Sequence, residues 1–308
     1  MKVLFVASYN KGRFAAFIVE QADALRKIGV EVELFGIVGK GIKGYLNCLP
    51  QLRMRIKKFN PDVIHAHFGL SGLFANLQRR VPVVTTYHGS DINVPSILKL
   101  SKMCMLLSKH NIFVSQRNIQ IANAKKNYTL LPCGVDLETI AVIDKTSARE
   151  RLGWSSEDKK IIFAGAFDNE VKNPQLAIKT MQDERLIQAE LIELKGYSRT
   201  EICLLFSAAD AFLMTSHTEG SPQVVKEAMA CGGPIVSVNV GDVQERIEYV
   251  SNSYISPANP SDLAARLSQI LNNPERTNGR EKLIDFGLDN QTIAQKLLTI
   301  YNKVLARK

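Results

Sequence analysis

Short runs of apolar, β-branched residues recur along the chain at 3–7, 32–37, 63–66, 83–87, 112–114 and 129–131, and then at 161–164, 191–194, 211–214, 235–238 and 254–255. Amphipathic segments with helical spacing lie between them. That alternation is the pattern of a parallel α/β sheet flanked by helices. The two series are separated by polar, turn-prone residues at 136–147, which predicts two doubly wound units in tandem, 1–139 and 140–290. A further amphipathic segment follows at 291–308. A length of 308 residues suits two domains with ordinary cores. In sheets of this kind ligands sit at the carboxyl ends of strands, so the residues just after each strand are the ones to interrogate.

Composition narrows the picture. With 45% hydrophobic and 22% charged residues the chain is not disordered. No apolar run approaches the ~18 residues of a membrane span, and residues 1–13 lack a signal-peptide pattern, so a soluble, cytoplasmic protein is expected. The five cysteines are scattered and form no C-x-x-C, suggesting neither a disulfide framework nor a zinc site. Charge is unevenly placed: residues 1–140 carry 19 Lys+Arg and 8 Asp+Glu, whereas 141–308 carry 20 and 22. Arg53, Arg55, Lys57, Lys58, Arg79, Arg80, Lys99, Lys102, Lys109, Lys125 and Lys126 supply much of the excess. They are either solvated helix faces or a surface that meets an anionic lipid leaflet or a phosphate-bearing acceptor. Nucleic acid is the weakest reading, because no nucleic-acid module is present and aromatic residues are not interleaved with the basic ones.

Candidate chemistry gathers after particular strands. The segment 215–234 reads as a strand end followed by a helix, with Ser221 as N-cap, Pro222 at the first helical position and Gly232-Gly233-Pro234 as the stop. Gly220 and the first-turn amides would form an anion site suited to a diphosphate. Glu219 stands just outside that helix and Glu227 about 9 Å along it, at ~1.5 Å per residue, so the two could hold different parts of one long ligand, or the segment could be a capped structural helix with a solvated Glu227. After strand 161–164, Gly165 allows close backbone approach and Lys172 could reach a phosphate. In the first half His65 and His67 end one strand and His88 ends its neighbour. No carboxylate or cysteine completes a metal set with them, so His88 reads as a hydrogen-bonding residue, His65 as structural and His67 as undecided. The G-x-G-x-x-G match at 39–44 follows the second strand rather than the first and reads as a flexible basic loop.

Taken in order, these segments resemble the retaining nucleotide-sugar glycosyltransferases of glycosyltransferase family 4. The resemblance covers nearly the whole chain: 62–67, His88-Gly89-Ser90-Asp91, 132–136, Val171-Lys172-Asn173, and Glu219 and Glu227 spaced as E-x7-E. It implies the GT-B fold, two Rossmann-like lobes facing a cleft, with the helix at 291–308 returning to the first lobe. It further implies that Glu219 holds the donor sugar, Glu227 the ribose, and Lys172 with the segment Gly220, Ser221, Pro222 and Gln223 the diphosphate. His88 would face the sugar from the other lobe. The donor would be a nucleoside diphosphate sugar and the acceptor a glycan or lipid-linked group, and the basic first half is compatible with an acceptor at the inner membrane face. No metal or other cofactor is implied.

Two features depart from the family pattern. Ala166 stands where an Arg usually partners the diphosphate lysine, and the spacing to Lys172 is one residue longer than the commonest form. The sequence therefore leaves open a non-catalytic subunit that binds sugar nucleotide. A different GT-B enzyme acting on a nucleotide-sugar and a nicotinamide-dependent dehydrogenase are further alternatives.

Overall fold

The computed structural model describes residues 1–306, so the last two residues of the segment expected at 291–308 lie outside it. The chain divides into two compact units, Met1–Gly134 together with the chain from Asp289, and Val135–Leu288. The sequence pattern puts the division at 139/140 and 290/291. Residues 135–140 belong with the second unit because they are tied to it. Val135 N–H donates to Leu288 O at 2.9 Å, and the Arg280 guanidinium donates to the carbonyls of Leu137 and Ile140.

Among its described residues the first unit is built on the strands β1 (Lys2–Ser8), β2 (Glu31–Ile37), β3 (Val63–His67), β4 (Val83–Tyr87), β5 (His110–Phe113) and β6 (Tyr128–Leu130). They pair in the order β2-β1-β3-β4-β5-β6, every pair parallel. β3 and β4 are buried along their whole length, as strands covered by helices on both faces must be. On one face Leu4, Val6, Ile64 and Ala66 pack with Leu52, Ile56, Phe59 and Phe74 from the covering helices. The order reverses between β1 and β3, and the carboxyl end of β3 carries His67.

The helix Asn290–Leu305 belongs to this unit although it comes last in the chain. Asp289 caps it by accepting from Thr292 N–H, and its buried residues Ile293, Ala294, Leu297, Ile300, Tyr301 and Val304 recur at three- and four-residue steps. That stripe lies against the helix Ala16–Lys27, and the Tyr301 hydroxyl sits 2.6 Å from His65 Nδ1.

The segment 39–44 is not a flexible loop. A helix runs over Gly41–Asn47, and a second over Leu49–Phe59 has Pro50 in its first turn, where the missing N–H costs nothing. Gly39 and Gly44 touch so closely that a Cβ on Gly39 would lie 2.7 Å from Gly44 Cα. The Asn10 side chain holds Gly39 by both its N–H and its carbonyl. The glycines serve a tight backbone contact here.

The second unit contains β7 (Lys159–Phe163), β8 (Ala189–Glu193), β9 (Ala211–Met214), β10 (Ile235–Val238) and β11 (Tyr254–Ser256). The order is β11-β10-β9-β7-β8, again all parallel. The reversal falls between β7 and β9, whose register pairs Ile161 with Ala211 and Phe163 with Leu213. The loops that follow Phe163 and Met214 therefore emerge side by side at the switch point, where such sheets bind ligands.

Candidate functional site

The loop after β7 starts at Ala164 and Gly165 and closes with a short 3₁₀ turn over Glu170–Lys172. Asn173 then takes a left-handed conformation (φ 54°, ψ 57°) that starts the helix Pro174–Thr180. Asparagine tolerates that conformation better than most residues. The loop after β9 grips this turn: Thr215 Oγ1 donates to the carbonyls of both Lys172 and Asn173 at 2.9 Å, and His217 N–H donates to Val171 O at 2.9 Å.

This clasp brings Lys172 to Glu219. Lys172 Nζ donates to Glu219 Oε1 at 2.7 Å, with the two side chains only 21% and 15% exposed. Gly165 makes the approach feasible in a way the sequence did not suggest. A Cβ at Gly165 would sit 2.6 Å from Lys172 Cγ, so the missing side chain accommodates the lysine stem rather than a ligand.

Gly220, Ser221 and Pro222 lead into the helix Gln223–Ala230. The helix starts one residue later than the sequence suggests. Pro222, extended at φ −67° and ψ 119°, is the N-cap, and no side chain caps the first turn. Ser221 is one position too early to reach the third helical amide. Its Oγ, like that of Ser216, is buried without a hydrogen-bond partner among the described residues. The helix stops as expected, with Gly232 at φ +68° and the amides of Gly232 and Gly233 returning to the carbonyls of Met229 and Ala228. Glu227 lies on the second turn and is only 5% exposed, which removes the reading of a solvated surface carboxylate.

A residue not singled out from the sequence completes this corner. Gly241, after β10, has φ +60°, and a Cβ there would lie 2.7 Å from Gly220 O and 3.1 Å from Glu219 Cβ. Only glycine fits this backbone against the Glu219-Gly220 segment. The available signal was its place just beyond a strand end; Thr215 and Ser216 likewise follow a strand directly.

His88 belongs to the first unit, beyond β4. Asp91 holds its turn, accepting from the amides of Gly69, His88 and Gly89 at 2.9–3.0 Å. Burial pushes the Asp91 carboxyl up to about 6, although the backbone hydrogen bonds pull the other way. His88 Nε2 is 3.1 Å from His67 Nδ1, and His88 Nδ1 is 3.7 Å from Cys133 Sγ. His65 is walled in by Tyr301 and by Thr86 Oγ1 at 2.7 Å. Burial lowers both His65 and His67, the latter to about 3, so both rings are neutral. Among the described residues no group of three or more His, Cys, Asp or Glu is placed to hold a metal ion.

Two family models match the chain, "Glycosyltransferase Family 4" over residues 14–139 and "Glycosyl transferases group 1" over 179–287, together well over half of it. The chain belongs to glycosyltransferase family 4. The chain is similar to TuaC of Bacillus subtilis (strain 168), whose name assigns it provisionally to teichuronic acid biosynthesis as a glycosyltransferase. The two are 25% identical over 244 residues, a match that takes in 70% of this chain but 63% of the relative, under two thirds of its length. Among solved structures, a sucrose-phosphate synthase from Thermosynechococcus elongatus superposes with a TM-score of 0.83 at 17% identity, covering all of both chains. HepE of Anabaena, solved in complex with UDP-glucose, gives 0.76 at 16% identity, again over all of both chains. Those structures share the GT-B fold with this family-4 chain. The Lys172–Glu219 pair thus stands on a family-4 scaffold, after β7 and β9.

Proposed function

We propose that this chain transfers a hexose-type sugar from a nucleoside diphosphate sugar to a glycan or lipid-linked acceptor with retention of configuration, in surface polysaccharide or glycoconjugate biosynthesis. The observation that carries the reading is the Lys172–Glu219 ion pair at the switch point of the second sheet, beside the buried hydroxyls of Ser216 and Ser221 and the start of the helix Gln223–Ala230. A donor entering there exchanges one partner for another. Its diphosphate accepts from Lys172 and from the helix-start amides, while a sugar hydroxyl donates to Glu219 in place of the lysine. Glu227 takes the ribose, and His88 contributes a contact to the transferred sugar. The complex of HepE with UDP-glucose makes a uridine nucleotide the first donor to try.

Lys172 and the helix start stabilise the departing diphosphate as the acceptor hydroxyl attacks from the same face. The leaving phosphate takes the hydroxyl proton. No protein nucleophile and no metal form part of this proposal. Purified full-length protein is incubated with a panel of nucleoside diphosphate sugars and carbohydrate acceptors, and nucleotide release and product anomer are measured. Lys172→Ala and Glu219→Ala are each expected to lower turnover by ~10²-fold, the scale of losing one preorganised electrostatic contact, with the circular dichroism unchanged. Near-normal turnover in either folded variant overturns that residue's role, and an inverted product overturns retention. Donor binding without transfer favours the second reading, a non-catalytic subunit, for which Ala166 in place of the usual Arg is the motive.

The first unit supplies a reason to place the acceptor at a membrane. A hollow of about 350 Å³ lined by Arg53, Met54, Lys57, Gln78 and Arg80 adjoins one of about 330 Å³ that includes Arg79, Leu107 and Lys109. Met54 is 66% exposed and Leu106, beside Leu107, 87%. Cations mixed with exposed apolar groups suit an anionic bilayer, and no helix among the described residues is long and apolar enough to cross one. Binding to phosphatidylglycerol vesicles, absent with phosphatidylcholine and lost in an Arg53→Glu/Lys57→Glu/Arg80→Glu variant, is the expected result. Equal binding by the variant contradicts it.

A further inference from the structure

His65, His67 and His88 stand in a row, but their hydrogen bonding differs. Both nitrogens of His65 are taken by hydroxyls. His67 has one nitrogen toward His88 and the other, Nε2, buried with no hydrogen-bond partner among the described residues. The His67 and His88 rings are 5.3 Å apart between centroids and inclined by only 24°, while their facing nitrogens are 3.1 Å apart. The difference is about two ring radii, so the rings meet edge to edge in a nearly straight hydrogen bond.

Only one of the two facing nitrogens carries the proton of that bond. If His88 donates from Nε2, the single proton of neutral His67 has to sit on its own Nε2, as a buried N–H with no acceptor. Orphaned N–H groups are the rarest unsatisfied groups in folded proteins, whereas an unmatched lone pair is better tolerated. His67 therefore keeps its proton on Nδ1 and donates to His88 Nε2. The His88 proton is then on Nδ1, which faces the sulfur of Cys133 at 3.7 Å, a weak acceptor. An oxygen acceptor displaces that contact easily.

We propose that His67 is a positioning residue, which fixes the His88 proton on Nδ1 and makes His88 a neutral hydrogen-bond donor rather than a base. The contact of that donor with the transferred sugar rests on the function proposed above. The backbone supports the same task, since Asp91 pins the amides of His88 and Gly89 and so fixes where the imidazole starts.

The test uses the full chain labelled with ¹⁵N-histidine, observed by long-range ¹H–¹⁵N correlation at neutral pH, which reads the tautomer whether or not any sugar is transferred. Wild type is expected to show His88 protonated on Nδ1. His67→Leu, which removes the donor, is expected to move that proton to Nε2. His67→Asn, whose amide N–H stands near the place of Nδ1–H, is expected to keep it on Nδ1. In the transfer assay kcat falls about tenfold in the leucine variant and recovers in the asparagine variant, with KM for the donor little changed. A wild-type His88 proton on Nε2, or one that stays on Nδ1 in a folded leucine variant, overturns the proposal. So does the assigned tautomer with kcat unchanged in His67→Leu. Should the leucine variant not fold, the wild-type spectrum decides alone. Absence of transfer in wild type with the assigned tautomer present strikes the proposed function and leaves the tautomer assignment standing.

Discussion

Three buried groups in the first unit give the protein a signed pH dependence. Unfolded histidine titrates near 6.5, but folded His65 and His67 stay neutral far below that, His67 down to about 3. Their contribution is therefore complete above about pH 6.5 and lost as the pH falls, for His67 through about 3, because the unfolded chain takes up protons that the folded chain refuses. Asp91 works in the opposite direction. Raised from 3.8 to about 6, it favours the fold below 3.8 and loses that contribution as the pH rises toward 6. Between about pH 4 and 6 the two histidines together outweigh the one carboxylate, so acidification should lower stability. Urea unfolding across that range measures the slope, and His67→Asn should make it shallower. Gly241 offers a second check on a single residue. Gly241→Ala puts a methyl against the Gly220 carbonyl at a positive φ, and should lower stability by roughly 1–3 kcal/mol and weaken nucleotide binding in the same variant. Wild-type thermal stability and affinity together would refute the packing argument.

Among the elements, all eleven strands of the described residues lie within two residues of the apolar runs that predicted them. Strands buried on both faces have little freedom in composition, and β4, β9 and β10 match their runs end to end. The helix Gln223–Ala230 was legible for the same reason, between a strand and a glycine stop. Its first residue was not, because Ser221-Pro222 satisfies a local capping rule that the backbone at Pro222 does not follow. The helix Gly41–Asn47 was missed altogether, since its glycines signal a loop until the contact between Gly39 and Gly44 is seen. At the site, Lys172 and Glu219 were readable as chemistry but not as an ion pair, which depends on Thr215 clasping a turn that lies 42 residues earlier in the chain. A comparable contact fixes two helices of the first unit. Gly69–Asn76 packs on Pro95–Leu107, and a Cβ on Gly72 would meet Cys104 Sγ at 2.5 Å and Thr85 Cγ2 at 2.6 Å. Gly72→Ala should therefore destabilise by about 2–3 kcal/mol, more than its better helix propensity returns. A chemical denaturation midpoint equal to wild type would show that the pair can separate without penalty.

For the whole molecule, the uneven charge seen in the sequence has a location, with Arg53, Lys57, Arg79, Arg80 and Lys109 around the two hollows near the starts of β4 and β5. The division into units also predicts how damage spreads. Ending the chain at Leu288 removes Tyr301 from His65 and the apolar stripe Ile293, Leu297 and Ile300 from the helix Ala16–Lys27. Residues 1–134 should then be cleaved well before 135–288 in limited proteolysis, and equal resistance of the two would contradict this.

That closing helix has a consequence for synthesis. The second unit is one unbroken stretch of chain, whereas the first is written in two pieces on either side of it. A ribosome therefore delivers most of the first unit before the second but withholds the helix Asn290–Leu305 until the second has been made. The unit begun first is the last able to close, and a nascent chain paused at residue 288 carries a complete second unit behind a first one whose buried histidine still lacks its tyrosine.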